Sequence, residues 1–468
     1  MRRRTTSLSA LALAALLAGC ASMPAEDALA PAREWAARSG APTPVLAADE
    51  RTAATLRDER ERLLAGPLSL PTALELALRS SPGMQALLAE GWRVQADTAA
   101  SAAFPRIGFA FERKTHGGEV ALTRGLSLSL TDLLTLPWRQ RAADRAIQAQ
   151  RLQLAADVLA RQQAVRAQWV KAVAARQLVA YHADVREAAQ ASAELARRMQ
   201  AVGNFSRLQR AREQAFLADA TANLARARAA AETEAEALVR LLGLTPAEAA
   251  RLQWPQRLPD LPAAPREAAE VTRAAAAERL DLRVASAALD ASARAEGLVL
   301  PTLFDIGLAL HRESEPGGER TRGTELAFAI PGIDGATLRR QGARAGTLAA
   351  AQRLEQARID AASTLRERFF AWRTAHDLAR HYRLEVVPLR QTITDESLLK
   401  YNGMLIGVFE LLAEARSQVG AVIAAIEAER DFWLADAALE AAILGVPGSP
   451  VALPAAAPAA AESAAKGH

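Results

Sequence analysis

Histidines are the first residues to consider, because imidazole groups bind metal ions and transfer protons in many enzymes. The chain has six of them: His116, His182, His311, His376, His381 and His468. None lies in a metal-ligand spacing such as H-E-x-x-H. The sequence also contains no G-x-x-x-x-G-K-[ST] phosphate loop and no G-x-S-x-G nucleophile motif. We therefore expect no enzymatic activity, no cofactor and no metal site.

Cys20 is the single cysteine of the chain, and its surroundings indicate lipid modification. Three arginines precede the apolar run "LSALALAALL", which is too short to span a bilayer and is typical of a secretory signal peptide over residues 1–19. The following "LAGC" resembles the bacterial lipobox, in which the cysteine is acylated. With Ala21 next, this resemblance implies a palmitate-bearing anchor in the outer membrane. The alternative is a cysteine that is discarded with the signal.

The composition favours closely packed helices. Half of the residues are apolar but only 4% are aromatic, and alanine is abundant, so the buried surface must consist largely of small side chains. Charged residues make up 24% of the chain, with a formal net charge of +4 and no dense basic patch. This distribution gives no support for nucleic-acid binding.

Two segments alternate large apolar residues with small or polar ones, which predicts β-hairpins over residues 105–131 and 301–331. In the first hairpin, "RIGFAFERK" and "VALTRGLSLSLT" flank "THGG"; in the second, "TLFDIGLALHRE" and "TRGTELAFAIPG" form the corresponding pair. Each predicted strand has about ten residues, roughly the length that a tilted strand needs to cross a bilayer.

Long stretches of helical periodicity follow each hairpin, from about Leu134 to Ala201 and from about Ala336 to Lys400. A Gly-Asn pair at Gly203 and an Asn-Gly pair at Gly403 then interrupt the pattern, which predicts chain reversals in which glycine adopts positive φ. Three local signals recur at offsets of 196, 200 and 202 residues: the prolines before the hairpins, these glycines, and the "LLGL" and "ILGV" endings. Such a constant offset indicates an internal duplication.

The predicted organisation is therefore a duplicated, mainly α-helical chain. It comprises a signal peptide (1–19), an N-terminal arm with lipidated Cys20 (20–66), a first repeat (67–245), a second repeat (246–446) and a disordered tail (447–468). Long antiparallel helical hairpins would form a tunnel. Four strands alone leave two open edges, which is unfavourable in hydrocarbon, so the strands must pair with copies of themselves. Three protomers would close a barrel of about twelve strands.

The order of these features resembles the TolC family of outer-membrane efflux proteins. The resemblance spans roughly residues 67–446 and depends on the "LSLPTALELALRSSP" opening, the proline-led hairpins, the "AVGNFSRLQRAREQ" turn and the "LLGL" ending. It implies a homotrimeric outer-membrane channel with a long periplasmic extension. Such a channel passively conducts drugs or metal ions from an inner-membrane pump and a periplasmic adaptor to the exterior.

The resemblance also assigns roles to the two reversals, which we call the tips. It implies that both tips contact the adaptor, through Val202, Gly203, Asn204 and Phe205 and through Gly403, Met404, Leu405 and Ile406. In addition, it implies that carboxylates just past the second tip form a periplasmic gate. Glu410 matches that position best, and Glu414 lies one turn further. The alternatives are that the tips are simple helix caps and that the glutamates are merely solvated.

Two other classes of protein remain as alternatives. A periplasmic adaptor could combine a lipid anchor with long helical hairpins, but it would need additional β domains rich in glycine and valine. A structural coiled-coil lipoprotein without a pore would explain the helices and leave the two hairpins without a role.

Overall fold

The computed structural model describes residues 23–116, 119–277, 279–314, 320–329 and 333–448. The predicted signal peptide, Cys20, most of the predicted tail, and Ile330 and Pro331 of the second predicted hairpin lie outside these described residues. The molecule is mainly helical with one small sheet, so the predicted fold class is confirmed in these two respects.

The N-terminal part of the described chain is a series of short helices. They are α1 (Ala25–Arg38), α2 (Glu50–Leu64), α3 (Leu70–Glu75) with a following π turn (Leu76–Ser80), and α4 (Pro82–Ser101). Asp49, Ser69 and Ser81 begin three of these helices, because each side chain accepts a hydrogen bond from a backbone amide of the first turn.

The sheet consists of the two predicted hairpins. Its strands are β1 (Ile107–His116), β2 (Glu119–Ser129), β3 (Asp305–Ser314) and β4 (Arg320–Ala329), in the order β1-β2-β3-β4 with every pair antiparallel. Leu126 of β2 pairs with Phe109 of β1 and with Leu310 of β3. Within the described residues, β1 and β4 are open edges, as expected for a sheet of only four strands.

Long helices connect the sheet to the far end of the molecule. In the first repeat, α5 (Leu130–Ala201) returns as α6 (Arg207–Leu242). Three shorter helices follow: α7 (Pro246–Ala249), α8 (Ala268–Ala277) and α9 (Leu280–Leu298). In the second repeat, α10 (Ile333–His381), a π turn (Tyr382–Val386) and α11 (Val387–Asn402) return as α12 (Val408–Leu444).

Helix α5 begins four residues before the predicted Leu134, so the assignment of Leu130 to a strand was wrong. The apolar alternation continues through Leu130, but the Ser129 hydroxyl accepts a hydrogen bond from the Asp132 amide at 3.1 Å and starts the helix there. The 72 residues of α5 span about 110 Å.

The second long helix is interrupted where the first is continuous. Pro388 lacks an amide hydrogen and its ring would clash with the carbonyl four residues earlier. The π turn at Tyr382–Val386 immediately precedes this position, and π turns accommodate such a local mismatch within a helix.

The apolar core lies around the middle of α5 and not beneath the sheet. Val158, Leu159, Val165 and Val173 of α5 are fully buried against the N-terminal helices and the ends of α6 and α12. Among the described strand side chains, none is buried. No helix in the described ranges is both long and apolar enough to cross a membrane.

Candidate functional site

The first tip is a Schellman motif, a helix ending in which two amides bond back to the last turn. The Gly203 amide donates to the Gln200 carbonyl at 3.1 Å, and the Asn204 amide donates to the Met199 carbonyl at 2.9 Å. Gly203 has φ +82°, the left-handed conformation that the sequence predicted there. Ser206 then begins α6 through a reciprocal capping box with Gln209.

The second tip is the same motif, but its glycine lies one position earlier. The Met404 amide donates to the Tyr401 carbonyl and the Leu405 amide donates to the Lys400 carbonyl, both at 2.9 Å. Gly403 has φ −80°, whereas Met404 has φ +59°. The prediction of positive φ at Gly403 was therefore wrong. Gly203 corresponds to Met404, an offset of 404 − 203 = 201 residues, and not to Gly403.

The tips differ in the apolar surface that they expose. At the second tip, Met404 is 93% exposed and Leu405 is 77% exposed, while Ile406 is half-buried. At the first tip, Val202 is 72% exposed and Gly203 and Asn204 are also exposed.

Phe205 is buried, although the predicted adaptor contact requires an exposed side chain, so the expectation that it lies on the surface of the first tip was wrong. Its ring lies 5.0 Å from the ring of Phe409, measured between centroids, at an interplanar angle of 32°. Phe409 belongs to the first turn of α12. The two tips are thus joined by an aromatic contact within one chain, which removes Phe205 from the outer surface.

The two predicted gate glutamates have different surroundings. Glu410 is exposed in the first turn of α12 and has no ion-pair or hydrogen-bond partner for its carboxylate among the described residues. Glu414 is half-buried and faces Arg390 of α11, with its Oε2 atom 3.6 Å from the arginine Nη1 atom. The structure therefore leaves Glu410 free to face a neighbouring chain or solvent, and places Glu414 beside a cation.

A buried ion pair near the tips was not identified from the sequence. Arg416 of α12 donates to Glu213 of α6 at 2.6 Å, and the Ser192 hydroxyl of α5 donates to the other carboxylate oxygen at 2.8 Å. Glu213 is almost completely buried, and the Arg416 guanidinium also lies 4.4 Å from the ring centre of Phe216. We call these residues the repeat lock, since they connect the first repeat to the second. No local pattern distinguishes Glu213 from the solvated glutamates of α6.

The opposite ends of the returning helices are held by different groups. Arg60 of α2 donates to both carboxylate oxygens of Glu248 and to the Gly243 carbonyl at the end of α6. This pairing, together with the Thr245 hydrogen bonds, lowers the pKa of Glu248 from 4.5 to about 2. At the end of α12, Gly445 lies against Asp281, which pairs with Arg279 at 2.7 Å.

The two faces of the sheet have opposite character. One face is apolar and mostly exposed; its residues in register include Ile107, Phe109, Leu126, Leu310, Leu326 and Phe328, which are exposed, and Leu128 and Leu308, which are half-buried. The other face is small and polar; its residues include Gly108, Ala110, Ser127, Ser129, Gly307, Ala309, Ala327 and Glu325. Phe109 is 71% exposed and Phe328 is 64% exposed, so the large side chains have no cover within the described chain.

Comparison with solved structures identifies the same architecture in outer-membrane proteins. VceC of Vibrio cholerae, an outer membrane protein, matches with a TM-score of 0.63 at 14% identity, covering 86% of this chain and 99% of that one. The CmeC outer membrane channel of Campylobacter jejuni matches with a TM-score of 0.67 at 13% identity, covering 84% and 87%. The open-state MtrE outer membrane channel of Neisseria gonorrhoeae matches with a TM-score of 0.54 at 18% identity, covering 84% and 90%.

No family model matches the chain, and no curated protein sequence matches it. The structural similarity covers most of the chain and establishes that it has the fold of these outer-membrane channels. The resemblance to the TolC family that the sequence indicated is confirmed at the level of the fold.

Proposed function

We propose that this chain is one of three identical subunits of an outer-membrane channel that passively conducts solutes, such as drugs or metal ions, from an inner-membrane pump and a periplasmic adaptor to the exterior. The observation that carries the proposal is the exposed apolar face of the four-stranded sheet. In water, so continuous an apolar surface would be unfavourable; in a bilayer it contacts the acyl chains.

The open strand edges support closure by other copies. Backbone amides and carbonyls on the outer edges of β1 and β4 have no neighbouring strand within the described chain. In hydrocarbon each unsatisfied group costs several kcal/mol, so a membrane-embedded sheet of this kind requires pairing between protomers. Three copies with four strands each would form a barrel of about twelve strands.

The second long helix supports the same assembly. Large apolar side chains on its outer surface lack cover within the described chain: Leu348, Ile359, Phe370, Leu384, Leu389 and Leu399. A neighbouring protomer would bury them. The lipid anchor at Cys20 is part of the proposal and would hold the N-terminal arm at the membrane.

At the far end, we assign adaptor contact to the exposed tip residues Val202, Gly203, Asn204, Met404 and Leu405, flanked by Gly403 and Ile406. Phe205 would act indirectly by fixing the first tip against Phe409. We assign the gate to three copies of Glu410, because converging carboxylates repel one another and attract cations. Glu414 would contribute less, since Arg390 partly balances its charge.

Planar-bilayer recording of the purified protein tests the channel and the gate together. The wild type is expected to form pores that are mostly closed. Glu410→Ala should raise the open fraction and reduce cation selectivity, whereas Glu232→Ala, an exposed glutamate far along α6, should change neither. Failure of the Glu410→Ala/Glu414→Ala double variant to form any ion-conducting pore would contradict the proposal.

Membrane extraction separates the channel from the adaptor and coiled-coil alternatives. A Cys20→Ala variant of a channel still requires detergent, because its strands remain in the bilayer. Either alternative protein should become soluble in buffer once its anchor is removed. Release of the variant without detergent would therefore exclude the proposed channel.

A further inference from the structure

Three arginines stand side by side across the sheet. Arg124 of β2 pairs directly with Arg312 of β3, which pairs directly with Arg322 of β4. Directly opposed residues of antiparallel strands lie on the same face, about 5 Å apart. The same register puts Phe111 of β1 at the end of this arginine row, so the row belongs to the exposed apolar face.

The arginine row has no counter-charge in the described part of the chain. All three side chains are exposed, and none forms an ion pair or a hydrogen bond with another described residue. Like charges directly opposite each other on neighbouring strands are destabilising. On the other face of the sheet, by contrast, Lys114 pairs with Glu112 at 3.2 Å. The arginine row is thus an uncompensated cationic site that an anion would stabilise.

The surroundings of the row are amphipathic. A groove of about 400 Å³ includes all three arginines together with Phe109, Leu126 and Leu310 of the adjacent apolar row. The next rows toward the helices are almost entirely apolar, whereas the next row toward the hairpin turns adds Arg113 and Arg320 on the same face. The arginine row therefore marks a border between an apolar surface and a basic one.

We propose that the arginine row binds the phosphate groups of lipid headgroups in the leaflet nearest the hairpin turns, while the acyl chains of those lipids cover the apolar rows. This inference rests on the proposed membrane insertion of the sheet. Guanidinium groups match phosphate oxygens in a planar, two-pronged hydrogen-bonding geometry, and the row offers three of them. The adjoining apolar groove distinguishes a phosphorylated lipid from free phosphate.

Binding of fluorescently labelled diphosphorylated lipid A to the detergent-solubilised full-length protein tests the site. Dephosphorylated lipid A should bind much more weakly, and millimolar inorganic phosphate should not displace the lipid. An arginine near an anionic headgroup contributes about fivefold in affinity, so Arg124→Gln/Arg312→Gln/Arg322→Gln should weaken binding about a hundredfold. The matched control Arg51→Gln/Arg212→Gln/Arg228→Gln, on exposed helical positions, should bind as the wild type does.

A second variant controls for the possibility that the glutamine variant loses binding because it misfolds. Arg124→Lys/Arg312→Lys/Arg322→Lys keeps the charge but loses the two-pronged geometry, and is expected to bind with intermediate affinity. Equal lipid affinity in the wild type and the glutamine variant, or equal affinity for the two forms of lipid A, would overturn the inference. Recording of wild-type pores in planar bilayers separates failure of the lipid site from failure of the proposed channel. If the wild type forms pores but its lipid A binding does not depend on the lipid phosphates, only the lipid site is rejected. If the wild type forms no pores, the channel itself is rejected.

Discussion

The two long helical segments occupy equivalent places in the two predicted repeats but are covered very differently. Among the side chains that the structure describes, α5 buries 22 of its 72 residues, while α10 buries only seven and α11 none. The N-terminal helices contribute to this difference, because α1 and α4 pack on α5 in the described part of the chain and leave large apolar side chains of α10 and α11 exposed. The two repeats thus share the order of their elements but not their surroundings: much of α5 is covered within the described chain, whereas α10 and α11 keep exposed apolar side chains that the proposed trimer would bury.

The largest expected effect comes from placing carboxylates on the exposed apolar surface of α10. Ile359 is 64% exposed and Phe370 is 66% exposed on α10. In the proposed trimer, Ile359→Asp/Phe370→Asp would place carboxylates in an apolar contact, at a cost of several kcal/mol per charge. We expect monomers in analytical ultracentrifugation with unchanged helix content by circular dichroism. The control Thr55→Asp/Arg62→Asp on α2 should remain trimeric. If the α10 variant also remains trimeric, its exposed apolar surface is not a contact between protomers.

The repeat lock tests whether the two repeats are held together near the tips. Arg416→Ala leaves the buried Glu213 carboxylate without its cation, and we expect a loss of about 3 kcal/mol in the free energy of unfolding, measured by urea denaturation. Arg390→Ala removes the partner of the more exposed Glu414 and should cost less than about 1 kcal/mol. A larger loss in the second variant would contradict the importance of burial here.

The contact of Arg60 in α2 with Glu248 and with the Gly243 carbonyl at the end of α6 occurs only in the first repeat of the described chain. Its contribution to stability should depend on pH. Because the pKa of Glu248 falls from 4.5 to about 2 on folding, its stabilising contribution is present above pH 4.5 and is lost as the pH falls toward 2. We expect Glu248→Gln to lose about 2 kcal/mol at pH 7 and to flatten this part of the pH profile of thermal unfolding. Glu61→Gln, which removes an exposed pair with Arg251, is the control and should change little.

The smallest effects distinguish the two tips. Position 203 has positive φ, so the alanine of Gly203→Ala is strained there and should destabilise the protein by about 1 kcal/mol. Position 403 has negative φ, so Gly403→Ala should be tolerated. Met404→Gly should stabilise by up to about 1 kcal/mol, since glycine adopts the left-handed conformation without a steric penalty. Thermal unfolding of the three variants checks this order. Equal losses at Gly203 and Gly403 would show that the tips are conformationally equivalent.

Local patterns predicted the hairpins, the long helices and the positions of the two reversals. Alternation over about ten residues and a glycine beside an asparagine are signals that a single segment carries. The prediction failed at Leu130 because the cap at Ser129 overrides an apolar alternation that continues for one more residue. It failed at Gly403 because glycine was taken to mark the left-handed position, which Met404 occupies.

Contacts between distant segments could not be predicted in this way. The burial of Phe205 depends on Phe409, and the burial of Glu213 depends on Arg416, about two hundred residues away in each case. Which faces of the helices meet is decided by the rotation of α6 against α12, and alanine-rich helices give little indication of that rotation. The roles of Cys20, the tip residues and Glu410 stay predictions.

The small side chains on the second face of the sheet bear on what could pass through a closed barrel. Glycine, alanine and serine project only a few atoms, so an inward-facing wall of this kind would leave a wide bore. The ring of His311 lies so close to Gly323 that a Cβ atom at this position would collide with it. In the proposed channel, small side chains would restrict solutes little by size, so a size limit would be imposed about 110 Å away, at the opposite end of the tunnel.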